Sequence, residues 1–190
     1  MSLKIETLEQ SFEKVKPYAN EFVNGFYDNL FTQSPETKLL FAYTNMAKQK
    51  TMLLSSLVFV VENLRHPNAL SETLKGLGAR HAKYGVLPEY YPLVGNALLT
   101  TFEQFLKADW TPETKEAWVE AYGDITKIML VGADYSEEVV KLEGASTNLN
   151  ISGKQMVSIA DESPDNLVDW PLFGGVFTGA GILLILLLLL

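Results

Sequence analysis

Two histidines are the only imidazole side chains in this chain of 190 residues, and their surroundings differ. His81 lies within "LGARHAKYGVLPEYY", on a short predicted helix weakened by glycine, whereas His66 precedes Pro67 in a predicted loop. A neutral imidazole is a strong metal ligand. A lone histidine on a helix is nevertheless more often structural or exposed. His81 is therefore a candidate ligand only if the fold builds a pocket around it, and we expect His66 to be exposed.

The composition narrows the kinds of site that His81 can belong to. The chain has no cysteine, which excludes disulfides, zinc–thiolate sites, iron–sulfur clusters and thioether-linked chromophores. Residues 1–133 carry 15 acidic and 13 basic side chains, a net charge of −2, whereas residues 134–190 carry 8 and 2, a net charge of −6. No basic stripe is present, so nucleic acid is not an expected partner.

Apolar residues recur every three or four positions through the first 133 residues, without strand-like alternation. This pattern predicts an all-α domain of six or seven helices with short connections. Pro17 marks a break, and a long helix is predicted from about Ala47 to Leu64. Helix starts are predicted at a serine cap followed by proline, at Pro88, and at a threonine cap followed by proline, the two caps being Ser34 and Thr111.

The remaining third of the chain has a different character. Residues 134–169 are polar and acidic and predict a flexible acidic linker, with a weak hairpin signal at Ser152–Gly153. Leu172 to Leu190 is a run of 19 residues without a charge, close to the roughly 20 that a transmembrane helix needs. We therefore expect a transmembrane anchor over residues 170–190, a buried hairpin being the alternative.

Two details of this segment bear on partners and location. Trp170 is expected at the membrane interface, and Gly175 and Gly179 form a small-xxx-small pattern that permits contact with a helix of a membrane protein partner. The chain begins without the apolar run of a signal peptide. We accordingly expect a single-pass C-terminal anchor in the membrane lipid, with the helical domain on the cytoplasmic side.

Several motifs in the helical part match one known family in type and spacing. They are "FYDNLF" (26–31), "SPETKLLF" (34–41), Gln49 four residues before Leu53, "RHAKYGVLPEYYPLVGNALL" (80–99) and "EAWVEAYGDI" (116–125). Tyr27 precedes Phe41 by 14 residues, and Gln49 precedes His81 by 32. With these motifs, residues 1–133 resemble the bacterial single-domain globins and the haem domain of flavohaemoglobins.

The resemblance implies a globin fold of six to eight helices, a haem b cofactor and a role for each matched residue. His81 would be the proximal iron ligand, with Tyr91 orienting its ring. Tyr27 and Gln49 would donate hydrogen bonds to O2 or NO on the distal side. The bland alternatives are a core tyrosine and a surface glutamine. The remaining cofactor contacts would be Phe41 stacking on the porphyrin, Leu53 limiting the pocket, and Arg80 or Lys83 pairing with a propionate.

The chain departs from the family pattern in two places. Flavohaemoglobins carry a glutamate near the end of the last helix that hydrogen-bonds the proximal histidine, but Ala133 takes that place here, with Asp134 about 100° away around the helix. If Asp134 cannot turn inward, we expect His81 to bond to a backbone carbonyl, which favours reversible O2 binding. The flavin- and nicotinamide-binding domain is also absent from these 190 residues, so redox turnover would need an external electron donor.

The sequence thus predicts a haem globin, tethered to a membrane, that binds O2 and NO for delivery to, or protection of, a membrane redox complex. Three alternatives remain open at this stage. They are a nitric oxide dioxygenase supplied with electrons from outside, a gas or redox sensor, and a haemless structural subunit of a membrane protein complex.

Overall fold

Helices make up almost all of residues 4–135, the part of the chain that the computed structural model describes. The six α-helices are α1 (Ile5–Val15), α2 (Ala19–Gln33), α3 (Met46–Glu62), α4 (Pro67–Lys83), α5 (Tyr90–Leu106) and α6 (Pro112–Gly132). Three 3-10 segments cover Lys16–Tyr18, Pro35–Phe41 and Lys107–Asp109. The all-α prediction is therefore confirmed for this part of the chain.

The predicted acidic linker, the hairpin at Ser152–Gly153 and the transmembrane anchor lie almost entirely outside the described residues, so they stay predictions. Within residues 4–135, no helix combines the length and apolar character needed to span a bilayer.

Helix boundaries confirm some of the predicted signals and correct others. Thr111 caps α6 by accepting a 3.2 Å hydrogen bond from the Thr114 backbone N–H. The predicted cap at Ser34 is wrong, because its side chain accepts no capping bond; its carbonyl instead accepts a 2.6 Å bond from the Thr37 hydroxyl. Pro88 does not open α5 either, since it lies in a turn in which its carbonyl accepts from Tyr91 N–H.

An aromatic cluster joins α1, α2, α5 and α6 on one side of the domain. Phe102 on α5 stacks on Trp118 of α6 with ring centroids 4.0 Å apart, and Phe22 of α2 lies 4.8 Å from Phe102. The Trp118 indole N–H donates a 3.0 Å hydrogen bond to the Ser11 hydroxyl of α1, so its one polar atom is satisfied. Burying each of these rings contributes about 1.5–3 kcal/mol, which makes this cluster the firm side of the fold.

Two glycines allow α4 and α6 to meet backbone to backbone. A Cβ at Gly78 would lie 1.8 Å from the Met129 carbonyl oxygen, and one at Gly132 would lie 2.0 Å from the Lys75 carbonyl oxygen. Each helix therefore supplies one glycine and receives the other helix's backbone against it. This close approach fixes the last turn of α4, on which His81 lies.

Adding one methyl group at this crossing should destabilise the domain. Gly78→Ala would force α4 and α6 apart, and overpacking of this kind typically costs about 1–3 kcal/mol in unfolding free energy. Gly123→Ala is a matched control in α6, because no atom lies within 4 Å of the added Cβ and removing a helical glycine should stabilise by about 0.5–1 kcal/mol. Urea unfolding measures both; equal midpoints for the two variants would contradict the proposed crossing.

Candidate functional site

A largely apolar cavity lies between the aromatic cluster and α3, and every helix except α1 contributes to its lining. Its volume is about 170 Å³. A single water needs only about 10–15 Å³ by the same kind of measure, so the space is suited to an organic ligand rather than to one solvent molecule. Left empty, an apolar void of this size would cost on the order of 4 kcal/mol. The cavity is thus a binding site by its size and by the cost of leaving it unfilled.

His81 reaches this cavity from the last turn of α4. Its Nδ1 lies 3.0 Å from the carbonyl oxygen of Leu77, one turn earlier. A carbonyl oxygen only accepts hydrogen bonds, so Nδ1 must carry the ring proton. The lone pair of a neutral imidazole is then on Nε2, which has no hydrogen-bond partner within residues 4–135. The ring is held in the tautomer that can bind a metal.

The electrostatics of the site keep this imidazole neutral. Burial lowers the pKa of His81 to about 4; the Leu77 carbonyl opposes this shift, and the neighbouring positive charge of Arg80 adds to it. At neutral pH the ring is therefore uncharged. A neutral ring is the form that a metal requires, because metal and proton compete for the same lone pair.

Tyr27 and Gln49 enter the cavity from α2 and α3, and both are buried. Burial raises the pKa of the Tyr27 phenol, and the nearby Gln49 side chain only partly opposes this, so the hydroxyl stays protonated as a donor. No hydrogen bond of standard geometry joins the two side chains. Each therefore has a donor group available to a third molecule in the cavity. The sequence prediction brings these two residues together correctly in space.

Phe41 and Leu53 also line the cavity, as their predicted roles require. Phe41 packs edge to face on Tyr27, with ring centroids 5.6 Å apart and an interplanar angle of 78°. The ring of Phe31 lies 5.5 Å from Phe41 and supports it from behind. Leu53 follows Gln49 by one helical turn and so shares its face of α3.

Several cavity residues were missed by the sequence reasoning as members of a site. Ser56 and Leu57 continue the row of Gln49 and Leu53 along α3, and Thr126 faces the cavity from α6. Val86 belongs to the turn after α4, where its N–H donates to the His81 carbonyl oxygen at 3.0 Å. Helical spacing from Gln49 was a sufficient signal for the α3 pair. Thr126 and Val86 carried no comparable signal.

Arg80 and Lys83 lie apart from the cavity lining, unlike the other predicted cofactor contacts. The Arg80 guanidinium folds back along α4, with Nη1 3.5 Å from the place of a Cβ at Gly76. Its Nε is buried without a hydrogen-bond partner within the described residues. Lys83 is exposed. The structure thus does not bring these cations together with the aromatic and imidazole side chains of the cavity.

The space behind His81 holds a tyrosine rather than a carboxylate. The ring of Tyr91 lies 6.2 Å from the imidazole, tilted by 33°, and the Tyr122 hydroxyl donates a 2.7 Å bond to the Tyr91 carbonyl oxygen. Asp134 is exposed and takes a left-handed conformation, with φ of 61°. The backbone carbonyl of Leu77 is the partner of His81, as expected for a chain without the inward carboxylate.

The donor set decides what kind of metal group fits. Among residues 4–135, no three His, Cys, Asp or Glu side chains are grouped so as to hold a metal ion. A metal at His81 must therefore bring most of its own ligands. Haem iron does so, because the porphyrin supplies four nitrogens and the protein supplies one proximal histidine. The apolar lining, the aromatic ring of Phe41 and the free Nε2 all fit such a group.

Comparison with known proteins agrees with this arrangement. The globin family profile matches residues 24–129. The chain is 34% identical over 109 residues to a flavohemoprotein of Rhizobium meliloti, covering 56% of this chain and 27% of that protein. It is 30% identical over 123 residues to a flavohemoprotein of Bacillus subtilis, covering 64% and 31%. The chain thus spans under a third of the length of these two relatives.

A solved structure shows a similar arrangement of helices. It belongs to a Pseudomonas aeruginosa protein described as structurally highly homologous to a human hemoglobin. The TM-score is 0.61 at 26% sequence identity, and the match covers 68% of this chain and 97% of that one.

Proposed function

The chain belongs to the globin family, and we propose from this premise that it binds haem through His81 and holds O2 or NO beside Tyr27 and Gln49. The observation that carries the proposal is the state of His81. It is one neutral imidazole, with its Nδ1 proton fixed on Leu77 and its Nε2 free, on the wall of an apolar cavity. The haem, in its b form, would supply the iron centre that coordinates a diatomic gas reversibly.

The residues opposite His81 would select and retain the gas. Tyr27 and Gln49 present hydrogen-bond donors in surroundings that otherwise lack them, so a ligand with partial negative charge is favoured over an uncharged one. Each such bond contributes on the order of 1–2 kcal/mol, or roughly tenfold in the release rate. Phe41 and Leu53 would cover the faces of the flat cofactor and limit the entry of water.

The absence of a carboxylate behind His81 favours binding over oxygen activation. A carboxylate partner would make the imidazole more basic and a stronger donor to iron, whereas the neutral Leu77 carbonyl does so less. We therefore place reversible gas binding ahead of nitric oxide dioxygenation, which would also need an external electron donor. No described residue specifically favours a sensor or a haemless structural role.

We also propose that the domain is held at a membrane by residues 170–190, where it would serve or protect a membrane redox complex. The support is the composition of Leu172–Leu190 alone, which has 19 residues without a charge. The small-xxx-small pair Gly175 and Gly179 would face the helix of a membrane partner.

The visible spectrum of the purified protein tests the central proposal. Expressed with ample haem, the chain should show a strong Soret band, and His81→Ala should lose or displace it because no other described side chain offers a free imidazole to the cavity. His66→Ala is the matched control, since this second histidine is exposed. A wild-type protein without a Soret band would refute haem binding.

Tyr27→Phe should speed O2 release by about tenfold, because it removes one hydrogen bond of about 1–2 kcal/mol and leaves the ring in place. Tyr43→Phe makes the same chemical change at a fully exposed tyrosine and should leave the rate unchanged. Stopped-flow measurement of O2 dissociation gives both rates. Equal rates for the Tyr27 variant and wild type would remove Tyr27 from the distal site.

Deleting residues 172–190 should move the protein from the membrane fraction to the supernatant after ultracentrifugation, while the Soret band is retained. The physical reason is the loss of the only long uncharged run in the sequence. A deletion variant that still sediments with membranes would place the attachment elsewhere.

A further inference from the structure

The Tyr91 hydroxyl is a buried polar group that the proposed gas-binding site leaves unexplained. Tyr91 is 5% exposed, lines the cavity beside His81, and its hydroxyl has no hydrogen-bond partner within residues 4–135. A buried donor without a partner costs about 1–3 kcal/mol. A phenylalanine would fill the same space without that cost. The hydroxyl therefore needs either a function or a partner that a small movement or a bridging water provides.

The backbone of Tyr91 is firmly placed, but its hydroxyl is not. Its carbonyl accepts the 2.7 Å hydrogen bond from the Tyr122 hydroxyl, which fixes the first turn of α5 against α6. The ring then extends toward the imidazole of His81, 6.2 Å away between centroids. Whatever orients the far end of this ring also sets the wall against which His81 lies.

The end of α6 brings a second phenol to this region. Asp134, with φ of 61°, reverses the chain so that its N–H bonds to the Val131 carbonyl at 3.2 Å, and Tyr135 N–H bonds to the Leu130 carbonyl at 2.9 Å. This pair of bonds is the Schellman motif, which returns the second residue beyond the helix onto its last turn. Tyr135 consequently packs against the core instead of continuing along the helix axis into solvent.

The two phenols are near enough to influence each other electrically. Burial raises the pKa of Tyr91 to about 12, and the phenol of Tyr135 adds to this shift. Both groups are therefore neutral at physiological pH, and each can donate one hydrogen bond and accept another. No other tyrosine, and no acidic or basic group, contributes to the Tyr91 shift.

We propose that Tyr135 is a positioning residue for His81 that acts through Tyr91, taking the place of the missing carboxylate at the end of α6. Its hydroxyl accepts the Tyr91 hydroxyl proton, directly or through one water, and so holds the Tyr91 ring against the imidazole. The pair is uncharged, so it steadies the ring without the added basicity that a carboxylate would give. This inference rests on the proposed haem-binding role of His81 for its consequence, but the contact between the two tyrosines does not.

The test is a cycle of Tyr91→Phe, Tyr135→Phe and the double variant in the full-length, haem-loaded protein. The readout is the iron–histidine stretching band of the ferrous protein, measured by resonance Raman spectroscopy, because a purely structural role would not move it. Each single variant should shift the band to lower frequency and broaden it, since the His81 ring is less firmly held. The double variant should match Tyr91→Phe alone, because Tyr135 acts only through Tyr91.

Tyr84→Phe is the matched control, as it removes an exposed hydroxyl just after α4 and should leave the band unchanged. An unchanged band in Tyr135→Phe, or additive shifts in the double variant, would overturn the inference. A second measurement does not need haem: the ring Cζ chemical shift of Tyr91 in the haem-free chain should move in Tyr135→Phe. If wild type lacks a Soret band but this shift occurs, the gas-binding proposal fails and the tyrosine contact stands; a chemical shift that does not move overturns the contact itself.

Discussion

The backbone contact between α4 and α6 is the constraint on which the site depends. With Gly78 and Gly132 at the crossing, neither helix can move closer, and any larger side chain would drive them apart. His81 follows Gly78 by three residues, so the imidazole inherits its position from this contact. The ring's own partner, the Leu77 carbonyl, belongs to the same turn. A helix weakened by glycine is thus made rigid by tertiary contact, since glycine costs helix stability of about 1 kcal/mol that packing must offset.

The two halves of the domain divide the tasks of stability and binding. The stacked rings of Phe102 and Trp118 give α1, α2, α5 and α6 a dense core. On the other side, Leu53, Leu57 and Val60 of α3 remain only partly buried because they border the cavity. A void that costs on the order of 4 kcal/mol is tolerable beside several aromatic rings worth about 1.5–3 kcal/mol each. Filling the cavity with a flat apolar group would recover that cost, which couples ligand binding to folding.

The sequence predicted best those features that depend on spacing along one helix. Gln49 and Leu53 share a face of α3 because they are one turn apart, and Thr111 caps α6 because its side chain reaches a backbone N–H three residues on. Arg80 illustrates what spacing cannot decide, since a long side chain on the right turn can extend to the cavity or fold back over Gly76. The crossing at Gly78 was equally invisible, because a glycine's neighbour across a helix interface is a tertiary fact.

The end of α6 shows how a backbone feature replaces a side-chain one. Residues 133–135 are used to terminate the helix, and the Schellman bonds satisfy carbonyls of its last turn that would otherwise lack partners. Aspartate tolerates the left-handed conformation that this turn requires better than most residues, which gives Asp134 a reason to be there without any contact to His81. Because the turn points the Asp134 side chain outward and returns Tyr135 inward, the same reversal removes a carboxylate from the proximal side and supplies a phenol. The strength of His81 as a ligand is therefore set by how α6 ends.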